Sequence, residues 1–246
     1  MKWNEVIYAD CMNEENGLPT LEDKSIDLCI TDPPWNINYD GMTGSSGKKT
    51  GEYHKHSKVN YEDIILDYHN FTLKWFTEIK RICHRIVISP GRQNLKLWYE
   101  ISDPADIFIH YRKNGGYGSR IATYNNFDPY LYFGKTQSFW SGNVLYQNSN
   151  TGFLKKNLRS TLIFKHTSPK NINLWYKIIE GINPKSVIDP FMGSGTTAEA
   201  CTKLGIPWVG YEINEVYSQD INKRLKGCVR EPQQIELNSW LEAERE

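Results

Sequence analysis

Asp32-Pro33-Pro34-Trp35 sets a carboxylate, two rigid rings and an aromatic face in four consecutive residues. It follows the apolar run Ile26-Asp27-Leu28-Cys29-Ile30-Thr31, which reads as a buried strand. The carboxyl end of a strand is where open α/β sheets place their ligands. A carboxylate and a proline carbonyl accept hydrogen bonds from an amine, and an indole stacks on a flat ring. The set is therefore suited to holding a nucleobase by its exocyclic NH2. The alternative is a strand that simply ends in a tight turn, because proline presets turn geometry and stops a strand.

A second chemistry-bearing run is Asp189-Pro190-Phe191-Met192-Gly193-Ser194-Gly195-Thr196-Thr197-Ala198. Gly193, Gly195 and Ala198 fit G-x-G-x-x-G/A between a strand and a helix, where glycines allow a tight turn and close approach of a ligand to the backbone. Glu212 lies about 20 residues beyond Gly193, the spacing of a carboxylate that bridges ribose hydroxyls. The alternative is a glycine turn needed only for helix–strand packing. No Gly-Lys-Ser/Thr follows the glycines, so a P-loop is excluded. NAD would need a further βαβ half downstream, and only about two elements follow. S-adenosylmethionine needs a single half and brings an electrophilic methyl to the neighbouring strand end.

These two turns need a sheet to present them. Strands are expected at residues 6–9, 27–31, 85–89, 106–111, 130–133, 186–189 and 208–211, several of them continuous apolar runs of the kind covered on both faces. Apolar residues at helical spacing mark helices at 61–81, 172–180, 196–204 and 216–225. Alternation of the two predicts a doubly wound α/β sheet. The domain expected to carry the chemistry is 1–230, followed by an acidic tail at 231–246.

Two stretches interrupt that alternation. Residues 36–60 are rich in Gly, Ser, Lys and His and carry Lys48, Lys49, Lys55 and Lys58. Directly after the Asp-Pro-Pro-Trp turn, this reads as a lid whose lysines contact phosphate, with an idle insertion as the alternative. Residues 112–165 carry Arg112, Lys113, Arg120, Lys135, Lys155, Lys156, Arg159 and Lys165 against the single acid Asp128. Tyr117, Tyr124, Phe127, Phe139, Trp140, Tyr146 and Phe153 are interleaved among them. Basic residues meet phosphates and aromatics stack on bases, so this is a candidate nucleic-acid surface. The alternative is a solvated edge whose aromatics pack locally.

The bulk numbers narrow the classes further. The 246 residues are 39% hydrophobic with formal net charge zero, so a packed core is available and any polyanion site must be local. No apolar run approaches the length of a transmembrane helix, and the N-terminus lacks a signal-peptide core. Cys11, Cys29, Cys83, Cys201 and Cys228 form no CxxC pair, which favours reduced thiols in a cytoplasm and disfavours zinc or disulfides. His54-Lys55-His56 has no carboxylate or cysteine at ligand spacing and reads as solvated loop, so no metal is expected.

Taken together, Ile7-Tyr8-Ala9-Asp10-Cys11, the run from Ser25 to Trp35, His166-Thr167-Ser168-Pro169-Lys170-Asn171, Asp189 to Thr197 and Gly210-Tyr211-Glu212 resemble the amino-methyltransferases of DNA in their β-class order. In that order the target-base motif precedes the cofactor motif. The resemblance covers roughly residues 5–225. Trp35 stands where the family more often has Tyr, and Thr167, Ser168 and Asn171 replace its Pro, Thr and Pro.

The resemblance implies a Rossmann-like fold and methyl transfer from S-adenosylmethionine to an exocyclic amine of double-stranded DNA. Asp32, Pro33, Pro34 and Trp35 would clamp a flipped base. Asp10, His166, Ser168, Lys170, Asp189, Phe191, Gly193, Ser194, Gly195, Thr196, Thr197 and Glu212 would line the cofactor pocket. A short target-recognition insertion is expected at 139–165, and family members often dimerise or accompany a restriction endonuclease. Asp before Pro-Pro leans toward adenine N6, whereas Ser there is commoner in cytosine-N4 enzymes. An RNA adenine methyltransferase and a non-catalytic nucleic-acid-binding protein are the other readings; the last predicts no binding of S-adenosylmethionine.

Overall fold

The computed structural model describes residues 2–36, 65–112, 126–135, 142–147 and 170–228. In chain order its strands and helices are β1 (Glu5–Ile7), β2 (Ile26–Thr31), α1 (Tyr68–Ile82), β3 (Cys83–Ile88), α2 (Leu95–Ile101), β4 (Asp106–Arg112), β5 (Phe127–Gly134), β6 (Val144–Gln147), α3 (Ile172–Ile182), β7 (Val187–Asp189), α4 (Thr196–Leu204), β8 (Trp208–Tyr211) and α5 (Ser218–Lys226). The strands form one sheet in the order β1-β8-β7-β2-β3-β5-β4-β6. Pairs from β1 through β3 are parallel, β5 runs antiparallel to both β3 and β4, and β6 is parallel to β4.

The expected doubly wound sheet is therefore present, and it is mixed. From β7 the chain winds through β8 toward β1; from β2 it winds through β3 the other way. Right-handed crossovers in opposite directions put their helices on opposite faces. The core records this. Leu28, Ile30, Val87 and Val187 pack with Trp175, Ile178 and Ile179 of α3 and Ala198 and Cys201 of α4. The alternate residues Cys29, Ile86, Ile88 and Ile188 pack with Trp75, Phe76 and Ile79 of α1 and Trp98 of α2. Strands buried on both faces explain their unbroken apolar runs. The crevice at the switch point lies between the carboxyl ends of β2 and β7, where the two motifs emerge.

Local signals set the helix ends. α1 starts at Tyr68, later than its apolar pattern suggested, because the Asp67 side chain accepts from the Asn70 N–H and caps it there. α3 is capped by Asn171, one of the residues that departs from the family pattern, and ends at left-handed Asn183. α4 ends at Gly205 with φ +69°. α5 begins at Ser218 after a single 3-10 turn, Glu215–Tyr217. Neither α2 nor β6 was expected from the sequence. No helix among the described residues is long and apolar enough to cross a membrane.

Candidate active site

The turn after β2 is held from three sides. Tyr68, the first residue of α1, donates its hydroxyl to the Pro34 carbonyl at 2.6 Å. Asn94 donates its amide to the Trp35 carbonyl at 2.8 Å and to the Pro90 carbonyl at 3.2 Å. The Trp35 indole N–H donates to the Ser89 carbonyl at 3.0 Å. Gly91 has φ +69°, and a Cβ there would lie 2.8 Å from Trp35 Cδ2 and 3.1 Å from its Cγ, so the backbone lies against the ring itself. An indole in place of phenol gives this position an edge donor that the turn after β3 can accept. Among the described residues none donates to the Pro33 carbonyl. Asn36 pairs with the Ile65 N–H at 2.7 Å and the Ile65 carbonyl at 3.2 Å, so the chain leaves Trp35 and returns to the same place.

Asp32 is about a quarter exposed at this opening. The Lys170 ammonium stands 2.9 Å from its Oδ1 and 4.3 Å from the centre of the Trp35 ring. Burial raises the Asp32 carboxyl, while Lys170, Ser89 and Trp35 pull it down.

The glycine turn after β7 is anchored from beneath. Asp189 accepts from the Thr31 hydroxyl at 2.7 Å, the Phe191 N–H at 3.0 Å and the Thr197 hydroxyl. Thr197 in turn accepts from the Trp175 indole at 2.8 Å. Burial holds the Asp189 carboxyl up at about 6 against those three hydrogen bonds, and neighbouring Asp32 pushes it the same way. Thr31 ends β2, so this network ties the two strand ends together. Gly193 and Gly195 adopt φ +53° and +83°, which side chains resist.

Glu212, past the end of β8, accepts from the Gly193 N–H at 2.7 Å and the Asn214 N–H at 2.8 Å. Burial raises its carboxyl, opposed by those two backbone bonds. Phe191 packs edge-on to Trp75 at 5.1 Å. The Ser194 hydroxyl accepts from Arg224 at 3.2 Å, and Thr196 is buried at the start of α4. Asp10, beyond β1, accepts from the Met12 N–H at 2.9 Å. No group of three His, Cys, Asp or Glu among the described residues is placed to hold a metal.

Of the residues singled out from sequence, Asp32 to Trp35, Asp10, Lys170, Asp189 to Thr197 and Glu212 gather around the carboxyl ends of β1, β2, β7 and β8. Lys170 sits with the base-clamp residues. Arg112 closes β4. Lys48, Lys49, Lys55, Lys58, Lys113, Arg120, Lys155, Lys156, Arg159, His166, Ser168, the insertion 139–165 and the tail 231–246 lie outside the described residues, apart from the stretch 142–147. Sequence reading missed Tyr68, Asn94 and Gly91, although Ser89-Pro90-Gly91 after an apolar run is a turn signal. It also passed over Tyr8 and Ile213, which stand beside Glu212 in the chain or in charge contact with it, and Ile213 is 75% exposed.

Comparison with known proteins agrees with this geometry. The chain is 25% identical over 249 residues to the type II methyltransferase M.HpaI of Haemophilus parainfluenzae, covering 87% of this chain and 73% of that one. It is 25% identical over 275 residues to the type II methyltransferase M.HinfI of Haemophilus influenzae, covering 96% and 72%. Its fold matches the M1.HpyAVI–SAM complex with TM-score 0.59 at 20% identity, over 90% of this chain and 98% of that one. It also matches the cytosine-N4-specific PvuII DNA methyltransferase with TM-score 0.58 at 14% identity, over 89% and 85%. The DNA methylase model for N6 and N4 methyltransferases matches residues 26–223, and the chain belongs to that family of S-adenosylmethionine-dependent DNA methyltransferases.

Proposed function

We propose that the chain methylates the N6 amine of adenine at a specific sequence in double-stranded DNA. The observation that carries the reading is the division of labour among the carbonyls of the turn. Tyr68 and Asn94 occupy those of Pro34 and Trp35, while among the described residues none donates to that of Pro33, the residue next to the partly exposed Asp32. Two acceptors on consecutive residues would suit the two N–H bonds of one amine.

An exocyclic amine is a poor nucleophile because its lone pair is delocalised into the ring. Asp32 and the Pro33 carbonyl draw its two hydrogens and return the lone pair to nitrogen. Trp35, fixed by Ser89 and Gly91, stacks on the flipped base and aims it. S-adenosylmethionine, when bound, would supply an electrophilic methyl whose departing sulfur keeps the C–S electron pair, and the amine's surplus proton would leave to water. Asp32 stabilises the charge that develops on nitrogen, and catalysis is positioning and electrostatics.

The residues at the glycine turn fit that cofactor. The Glu212 oxygens each hold one backbone N–H, and a carboxylate offers about four acceptor sites, so ribose hydroxyls can still be held. Phe191, Asp10, Tyr8 and Ile213 would flank it. Asp189 and Thr197 act from behind, by shaping the turn, while His166 and Ser168 precede Lys170 on the segment that would close the pocket.

Asp at position 32, where cytosine enzymes resembling this chain more often carry Ser, supports adenine. The lysines of 36–60 and the basic residues of 112–165 would hold phosphates, with 139–165 reading the sequence. A type II setting is supported by the names of the relatives, and a cognate endonuclease would go with it. Sequencing of modified bases in DNA from cells expressing the protein tests the proposal. N6-methyladenine at one sequence context is expected; N4-methylcytosine would replace the adenine assignment, and unmodified DNA would overturn the reading.

A further inference from the structure

We propose that Lys170 is a positioning residue that fills the target-amine site of the base-free enzyme, standing on Asp32 and over Trp35 where the base belongs, and withdraws when the base enters. The inference rests on the base-clamp reading above.

The ammonium reproduces what a base would offer. It forms an ion pair 2.9 Å from the buried Asp32 Oδ1 and sits 4.3 Å from the centre of the Trp35 ring, within cation–π range. The Gly91 backbone lies against the indole and Lys170 stands over the same ring, so an incoming base must share the ring with the lysine or displace it. Lysine and base therefore compete for both halves of the clamp.

Lys170 cannot stay through the reaction. The amine nitrogen becomes positive as it takes the methyl, and a neighbouring ammonium would oppose that charge and divert Asp32 from it. Before the reaction its presence is useful, because a partly buried carboxylate is costly without a counter-charge and Lys170 pulls the Asp32 carboxyl down against the burial that raises it. The other ionisable group facing Asp32 is Asp189, at the end of β7, which acts in the opposite sense; Ser89 and Trp35 carry no charge. Withdrawal is mechanically simple. Asn171 caps α3, so Lys170 lies just outside the helix on a flexible four-carbon stem.

The test uses the full chain, S-adenosylmethionine and plasmid DNA from a methylation-deficient host, with pH profiles for wild type, Lys170→Met and Lys170→Arg. kcat/KM reports the free enzyme and kcat the bound complex. Lys170→Met should raise the acid limb of kcat/KM by about one to three pH units while leaving that of kcat in place. Lys170→Arg should restore the wild-type limb. If both limbs move together, the lysine stays on Asp32 through chemistry; if neither moves, it has no part in preparing Asp32. Either result overturns the proposal. Wild type that leaves this DNA unmethylated would instead overturn the base-clamp reading. A second measurement needs no Lys170 variant: acylation of Lys170, read by mass spectrometry, should be several-fold faster in Asp32→Ala than in wild type. Equal rates would overturn the contact.

Discussion

The same dipeptide, Asp-Pro, ends two neighbouring strands of this sheet and is used in opposite ways. Asp189, at the end of β7, is 3% exposed and takes hydrogen bonds from Thr31, Thr197 and the Phe191 N–H. Asp32, one residue past the end of β2, is partly exposed and meets the Lys170 ammonium, with Ser89 and Trp35 also drawing on its carboxyl. One carboxylate is turned into the fold and builds a turn; the other is turned into the crevice with capacity to spare. Strand pairing makes the two interdependent, because Thr31, whose hydroxyl anchors Asp189, is the residue that precedes Asp32. What separates a structural from a chemical acid here is the kind of partner, hydroxyls and a backbone N–H from within the fold for Asp189 and an ammonium at the crevice for Asp32, a property of the neighbours rather than of the motif.

The comparison predicts opposite phenotypes for the two acids. Asp32→Asn should lower methyl transfer by on the order of 10³-fold, since it removes the charge aimed at the reacting amine, while stability changes by less than about 1 kcal/mol. Single-turnover assays and thermal unfolding read both. Asp189→Ala should instead cost about 3 kcal/mol or more, because it strands three buried donors at roughly 1 kcal/mol or more each. S-adenosylmethionine binding by calorimetry should weaken with it. If Asp189→Ala keeps wild-type stability, the buried donors around Asp189 are not what distinguishes the two turns.

How much of this contrast was readable beforehand follows from its origin. Asp32, Trp35, Gly193 and Glu212 were legible because a strand end, an aromatic, a positive-φ glycine and an acid about 20 residues on are local facts of the chain. The inward turn of Asp189 was not, since its partners Thr31, Thr197 and Trp175 come from three different elements. Nor was the placement of Lys170 on Asp32, which joins residues far apart in sequence through the meeting of β2 with the start of α3. β6 escaped notice because a four-residue edge strand has too few positions to show a period, and α2 because seven residues give barely two turns.

The acids also differ in their pH signatures. Burial holds the Asp189 carboxyl at about 6 against an ordinary 3.8. The native protein therefore binds more protons than the unfolded chain between those values. The associated stability is fully present below pH 3.8 and is lost as pH rises through about 6, up to about 3 kcal/mol. Denaturant unfolding across this window should show the slope, and Asp189→Asn should flatten it by close to one proton. Asp32→Asn should flatten it less, because Lys170 offsets its burial. An equal effect from both would mean that Asp189 is no more isolated from solvent than Asp32.

The outward turn can be perturbed without touching its carboxylate. Gly91→Ala places a side chain at φ +69° and 2.8 Å from the Trp35 ring, for about 1–2 kcal/mol of strain and a displaced stacking face. Methyl transfer should fall on the order of tenfold, and a stability loss with full activity would show that Trp35 need not hold its place.

The smallest effect is the most discriminating. Tyr68→Phe removes one hydroxyl, the donor to the Pro34 carbonyl, and leaves the ring that stacks on Phe71 at 6.2 Å. One partly buried hydrogen bond is worth about 1 kcal/mol. If the phenol belongs to the fold, that loss appears in unfolding and the rate is unchanged. If its task is to keep the Pro34 carbonyl turned away so that the Pro33 carbonyl and Asp32 together meet the amine, the loss appears in kcat, about fivefold, with S-adenosylmethionine binding unaltered. The geometry predicts the second outcome, because Tyr68, Asn94 and Asp32 divide the acceptors of one turn, and a carbonyl released by Tyr68→Phe would compete with the Pro33 carbonyl for the same N–H.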